Sequence, residues 1–410
     1  MNRREFLKSA LTIAAIAPVA RFAHAQDAAA PAADASTAGV TRRPYRDTGV
    51  TTPLLGFGLM RLPQKDGKLD YELIDKMFDR ALAAGVNYFD TAYVYIGGKS
   101  ERCVGDLLSK RPRDSYFLAS KMPVGQVKSL DDAKRIFNEE LERTKAGYFD
   151  FYLFHNIGWS GWEHSKNVGL VKFLEEKKAE GKIRRLGFSC HDNPGNLRRV
   201  IEDYHWDFCQ IQVNIQDWEA GSAREQYEIL SEANVPVIVM EPLRGGKLAD
   251  FGDEGNRILQ NAAPGSTPAA WSFRFVGSLP NVIVALSGMN RMDHLEENIK
   301  TFSPLVPLTE FEQRTLRTAF AASQKKISIP CTGCRYCVPC PVEVKIPDVF
   351  RLANDYHRSG DLDAFKKAYA TLTEEGGGAA DCVGCGRCEK KCPQHIAIRD
   401  ELKKVVGIVG

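Results

Sequence analysis

The sequence predicts an α/β fold, a closed barrel of eight strand–helix repeats followed by a small helical domain organised around cysteines. Three observations predict it. Apolar strand-like runs alternate with amphipathic helical stretches from about Leu54 to Phe302, and eight repeats over roughly 250 residues is the size and rhythm of a TIM (β/α)8 barrel. The first strand–helix turn carries Gly56-Phe57-Gly58 without the third glycine of G-x-G-x-x-G, which weakens the doubly wound alternative. Eight of the eleven cysteines lie in two runs near the C-terminus, each closed by Cys-Pro.

Eight runs are expected as barrel strands: Leu54–Leu59, Val86–Thr91, Tyr116–Lys121, Tyr148–His155, Ile183–Ser189, Phe208–Asn214, Val235–Leu243 and Val282–Leu286. Helical periodicity lies between them, for example over Tyr71–Ala84, Asp131–Lys145 and Val168–Glu180. Between the cysteine runs, Ile346–Tyr356 and Leu362–Leu372 read as helices parted by Ser359-Gly360. This gives four expected segments: residues 1–25, 26–43, 44–305 and 306–410.

The first segment reads as a signal. Arg3-Arg4 precedes an apolar stretch from Ala10 to Ala20, and Ala23-His24-Ala25 supplies small residues for cleavage. Paired arginines point to the twin-arginine export machinery and a periplasmic location. That route carries folded proteins, as a chain with cofactors assembled inside the cell would need. The Ala/Pro/Ser-rich residues 26–43 read as a disordered linker. The whole chain has the composition of an ordinary globular protein, 44% hydrophobic and 26% charged. A net charge of +3 gives no case for nucleic acid. Lys390 and Lys391 read as a solvated face, with docking of an acidic redox partner protein as the alternative.

The cysteines carry the most specific signal. Cys382, Cys385, Cys388 and Cys392, followed by Pro393, form a full C-x2-C-x2-C-x3-C-P run, the ferredoxin signature for [4Fe–4S] ligation. Cys331, Cys334, Cys337 and Cys340, followed by Pro341, are one residue short in the last gap. Three thiolates on one loop wrap one face of a cubane, and the fourth serves the other cluster. The expected wiring is therefore crossed. Cys331, Cys334, Cys337 and Cys392 hold one cluster, and Cys382, Cys385, Cys388 and Cys340 the second. Zinc and disulfides are the alternatives; neither accounts for two four-cysteine runs both closed by proline. Cys103, Cys190 and Cys209 read as buried thiols.

Active sites of such barrels sit at the C-terminal strand ends. Asp90 ends the second strand, Tyr95 follows it, Lys121 ends the third and His155 the fourth. A carbonyl that gains hydride needs a proton on its oxygen. Tyr95 is the expected donor, its pKa of about 10 drawn down by the Lys121 ammonium, with Asp90 holding Lys121 and His155 orienting the carbonyl. In order and strand position these four residues match the catalytic tetrad of the aldo-keto reductases. Gly181-Lys182-Ile183-Arg184-Arg185-Leu186-Gly187-Phe188-Ser189 and Glu296-Glu297-Asn298 are similar to that family too. About three-fifths of the chain is covered. With its cysteine runs the chain resembles the branch fused to a ferredoxin-type domain, here a small α-helical one.

The resemblance implies NADP or NAD. Ser189 and Gln212 match the residues that hold the carboxamide, while Cys190 stands where the family has Asn. Met240 takes the place of the stacking aromatic. Arg291 stands near the position of a 2′-phosphate contact, and Arg244 and Lys247 are expected at the pyrophosphate. Glu297 and Asn298 match adenine contacts. Trp159, Trp162 and Trp218 are expected either to line a substrate pocket or to cap the core.

Three functions follow. The first is an oxidoreductase that moves hydride between a nicotinamide cofactor and a small carbonyl or alcohol, coupled to electron transfer through two [4Fe–4S] clusters. Hydride transfer yields no single electrons, so such coupling needs a mediator, and no flavin motif is present. The second is a carbonyl reductase whose clusters are structural or redox-sensing. The third is an electron-transfer protein on a repurposed barrel.

Overall fold

The computed structural model describes residues 39–323 and 329–410. The expected signal segment and most of the expected linker lie outside the described residues.

Eight parallel strands close into a barrel: β1 (Leu55–Gly58), β2 (Tyr88–Asp90), β3 (Phe117–Met122), β4 (Phe151–Phe154), β5 (Leu186–Cys190), β6 (Phe208–Gln212), β7 (Val237–Met240) and β8 (Val282–Ser287). The barrel closes where β8 pairs with β1, Leu286 opposite Gly56. Each expected strand is present; six are shorter than expected, the seventh by five residues, the third is shifted by one residue, and the eighth runs one residue further, to Ser287. Helices follow the strands, as at Tyr71–Ala83, Leu130–Thr144 and Leu170–Ala179. Asp70 and Ser129 start the first two by accepting the backbone N–H of Leu73 and Asp132, which satisfies donors a helix start leaves free.

Side chains alternate across each strand, so every second residue points inward. Tyr88, Ala119, Phe151, Leu153, Phe208, Ile238, Val284 and Leu286 fill the barrel interior. Glycine at position 56 makes this packing possible, because a Cβ there would lie 2.6 Å from Val284 Cγ1. Two residues further along their strands come Asp90, Lys121, His155, Gln210 and Met240. The same alternation that buries the interior therefore delivers these five to the C-terminal mouth.

The helix Glu310–Ser323 packs on the barrel helix Gly252–Ala262, and its Leu316, Ala319 and Phe320 join the barrel's outer core. A second core is built by Ile346–Ser359, Leu362–Leu372 and Ile398–Val409 around Val349, Phe350, Phe365, Leu402 and Val405. The first two of these helices turn at Gly360, whose φ of 75° suits glycine, and Asp361 caps the second. The first cysteine run and the residues after Cys392 meet the barrel mouth, through Thr332, Cys334, Tyr336, Pro393 and Gln394. No helix among the described residues is long and apolar enough to cross a membrane.

Candidate active site at the barrel mouth

The four sequence-predicted residues converge. Lys121 Nζ donates to Asp90 Oδ1 at 2.5 Å and to the Thr91 carbonyl at 2.7 Å. It lies 4.7 Å from the centre of the Tyr95 ring, and the Tyr95 and His155 rings meet edge to face with centroids 5.8 Å apart. Asp90 and Lys121 are almost fully buried. Burial pushes the Asp90 carboxyl up and the Lys121 ammonium down, while their mutual attraction opposes both shifts.

Tyr95 departs from expectation. Its phenol is held well above the ordinary value, first by burial and then by the Asp90 charge. Arg61 and a hydrogen bond from Tyr336 act the other way. The expected lowering by Lys121 is not what governs it, because Asp90 neutralises that ammonium inside a closed site. Tyr95 is therefore protonated at neutral pH, as a proton donor must be. Burial, with Lys121 and then His191, drives His155 well below its usual value, so its imidazole is neutral.

One cavity of about 80 Å³ gathers these residues, and its walls include Asp90, Tyr95, Lys121, His155, Ser189 and Met240. Thr332, Cys334, Tyr336, Pro393 and Gln394 complete the enclosure from the cysteine domain. Asp90 Oδ2, Gln210 Oε1, Glu241 Oε2 and Thr332 Oγ1 are buried on residues of this cavity without a hydrogen-bond partner among the described residues. Unpartnered buried oxygens carry a desolvation cost, which a small polar ligand would relieve.

The domain is seated by specific contacts. Tyr336 Oη and His155 Nε2 are 3.3 Å apart. Gln394 Nε2 donates to Gln212 Oε1 at 3.0 Å, and Gln212 Nε2 donates back to Gln394 Oε1 at 3.2 Å and to Asp217 at 2.5 Å. Arg61 donates to the Thr332 carbonyl at 3.0 Å and pairs with Glu241 at 3.0 Å. Lys247 donates to the Ile329 carbonyl at 2.7 Å. Gly245, at φ +68°, lies so close that a Cβ there would stand 2.1 Å from the Thr332 oxygen. Only glycine meets both demands.

Of the residues expected around a nicotinamide nucleotide, Ser189 and Met240 line the mouth cavity, while Gln212, Arg244, Lys247, Arg291, Glu297 and Asn298 do not. Ser189 Oγ accepts from the Asn156 N–H at 2.8 Å. Cys190 is buried and its thiol is pushed up to about 12 by that burial. Arg244 is buried and ion-paired with Asp217. Arg291 is exposed and bound to Asp293, Glu297 accepts from Thr267, and Asn298 donates to Ser287 at 3.0 Å. Trp159, Trp162 and Trp218 line no part of the mouth cavity. Trp162 packs among Phe154, Tyr204 and Trp206, and Trp218 against Tyr227 and Phe275, which leaves the core-capping expectation.

The eight clustered cysteines divide between two further cavities. Cys331, Cys334, Cys337 and Cys392 line one, beside the mouth. Cys340, Cys382, Cys385 and Cys388 line another of about 400 Å³, with Cys337 on its wall. No three His, Cys, Asp or Glu side chains among the described residues close up around a single metal ion. Burial, then neighbouring cysteine thiols, pushes Cys337 up to about 12.

Sequence reasoning missed Tyr336, Gln394, Arg61 and Thr332. The only signal for three of them is adjacency. Tyr336 and Thr332 lie inside the first cysteine run, and Gln394 follows Cys392-Pro393. A residue beside a ligand goes wherever that ligand's loop docks. Nothing in the sequence marks Arg61.

A closed parallel barrel with a buried Lys–Asp pair, a tyrosine and a histidine at its C-terminal mouth is the architecture of an oxidoreductase. Residues 54–318 match the aldo/keto reductase family, and the chain belongs to that family. Residues 330–397 match a 4Fe-4S dicluster domain. Among its relatives is an uncharacterized oxidoreductase, YqkF, of Bacillus subtilis, 24% identical over 64% of this chain and 91% of the relative. Another is an NADH-specific methylglyoxal reductase of Escherichia coli, 24% identical over 55% of this chain and 72% of the relative. The fold is similar to that of aldo-keto reductase AKR11C1 from Bacillus halodurans, with TM-score 0.57, 23% identity and coverage of 68% of this chain and 96% of that one.

Proposed function

We propose that the barrel mouth interconverts a small carbonyl compound and its alcohol, and that two [4Fe–4S] clusters exchange electrons with that chemistry. Carrying this reading is one observation: Cys334 and Tyr336 enclose the same cavity as Asp90, Tyr95, Lys121 and His155. In the reductive direction Tyr95, protonated by burial, gives its proton to the carbonyl oxygen. Neutral His155 hydrogen-bonds the same oxygen, and Lys121, fixed by Asp90, faces the ring of the phenolate left behind. Four thiols around each cysteine cavity supply the donor set that a [4Fe–4S] cluster takes, in the crossed wiring expected from spacing. The clusters supply electrons singly.

Members of this family typically use NAD(P), and the relative from Escherichia coli is named for a small dicarbonyl, methylglyoxal. A compound of that size suits a cavity of about 80 Å³. Export to the periplasm belongs to this reading too and rests on residues 1–25; cell fractionation tests it. The chemistry is tested with anaerobically purified full-length protein and methylglyoxal among a panel of small carbonyls, with reduced methyl viologen, NADH or NADPH as reductant. Tyr95→Phe should lower turnover by about 100-fold or more while iron content holds. Unchanged turnover would remove Tyr95 from the reaction.

A further inference from the structure

The inference deepens the reading just given and rests on its carbonyl chemistry at Tyr95. We infer that the cysteine domain takes the place of a nicotinamide nucleotide at this mouth, so that reducing equivalents reach the substrate through the cysteine-bound clusters and the docked chain takes up no dinucleotide.

Four observations carry it. Gln212, the residue expected to hold a carboxamide, is already held by one: the side-chain amide of Gln394 presents it with a donor and an acceptor, and both bonds form. The stretch between the ends of β7 and β8, where a pyrophosphate was expected, is closed. Thr332 sits against Gly245 and accepts from Arg61, whose own stem packs on Gly288. The cations expected to greet phosphates are engaged, Arg244 by Asp217 and Lys247 by the Ile329 carbonyl. The remaining cavity of about 80 Å³ is far below the about 300–1,000 Å³ of ordinary ligand pockets. A dinucleotide does not fit, and Cys334 stands at the wall it would have lined.

The electron and proton balance closes without hydride. Reduction of a carbonyl to its alcohol takes two electrons and two protons. The carbon–oxygen π bond breaks while an O–H and a C–H bond form. Tyr95 supplies the proton to oxygen. Water supplies the proton to carbon. Tyr95 is then reprotonated from solvent. The electrons arrive one at a time from an external one-electron carrier, which is oxidised in two equivalents. That carrier reaches the outer cysteine cavity, where Cys385 is exposed. Single-electron entry limits the substrate class. A plain ketone is too hard to reduce by one electron for any protein-bound cluster. The carbonyl must be conjugated to, or adjacent to, a second electron-withdrawing group, as in a 1,2-dicarbonyl.

The test uses anaerobic full-length holoprotein. NADH and NADPH are titrated against it by fluorescence, and the dithionite-reduced clusters are followed by EPR with methylglyoxal as probe. The expected result is no nucleotide binding. Loss of the reduced-cluster signal should accompany methylglyoxal addition, two electrons disappearing per alcohol formed. His155→Ala should change the EPR signal of one cluster and leave the other as it was, with Tyr336→Phe giving the same pattern should His155→Ala not fold. Stoichiometric binding of either nucleotide, or cluster signals indifferent to both substitutions, overturns the inference. The two readings fail differently. If NADPH binds and drives turnover that Tyr95→Phe abolishes, the carbonyl chemistry stands and the replacement of nicotinamide falls. If reduced clusters lose electrons to methylglyoxal equally well in Tyr95→Phe, the assignment of Tyr95 falls instead.

Discussion

The Tyr336 hydroxyl stands 3.3 Å from Nε2 of His155, which joins a loop between two cysteines to the fourth strand of the barrel. Tyr336 also acts on Tyr95, holding its phenol lower than burial alone would. Tyr336→Phe keeps the ring and removes the hydroxyl. A hydrogen bond of about 1–1.5 kcal/mol corresponds to roughly a tenfold fall in kcat/KM. Iron content should be unchanged. Wild-type kinetics in an iron-replete Tyr336→Phe protein would reduce Tyr336 to packing.

Asp90 and Lys121 make a buried ion pair whose partners depend on each other. Lys121→Met leaves the Asp90 carboxylate buried and unpaired, a change that costs about 3–5 kcal/mol in comparable sites. The double variant Asp90→Asn with Lys121→Met removes the orphaned charge and should recover most of the loss. Anaerobic thermal unfolding, followed by tryptophan fluorescence, reads both. Additive losses in the double variant would show that the pair is not coupled in this way.

The two cysteine cavities make the crossed wiring testable. Cys392→Ser should perturb the same EPR signal as Cys334→Ser, and Cys340→Ser the same signal as Cys385→Ser. The reverse grouping, Cys340 with Cys334, would show that the shortened gap before Cys340 keeps it on its own loop.

Acid should loosen the mouth. Burial lowers His191 to about 4 and drives His155 well below its usual value. In the unfolded chain both titrate near 6.5. Between about 6.5 and the folded values the unfolded chain therefore binds more protons, so stability is full above that range and falls as pH drops. The slope is about 1.4 kcal/mol per pH unit for each histidine that must charge. A midpoint of unfolding that stays level from pH 7 to about pH 4.5 would show that these imidazoles are solvated.

The barrel was legible because its signal is local and repeated. Strand alternation at period two places Asp90 two residues beyond Tyr88 and Lys121 two beyond Ala119, so the inward face continues from packing to chemistry. The helices Ile346–Ser359 and Leu362–Leu372 were legible for the same reason, with Ser359-Gly360 marking the turn. The acidity of Tyr95 was misjudged, since a sequence names its neighbours without giving their burial or showing that Asp90 already consumes the Lys121 charge.

What the sequence by itself determined is the set of parts: eight strand–helix repeats, four mouth residues on or just after consecutive strands, and eight cysteines in two spaced runs. Each follows from spacing along the chain. What only the tertiary structure decided is how the parts meet. Tyr336 against His155, Gln394 against Gln212 and Thr332 over Gly245 join residues about 90 to 180 positions apart. No periodicity spans such distances. They are set by where the second core rests on the first, and that placement closes the mouth around the tetrad.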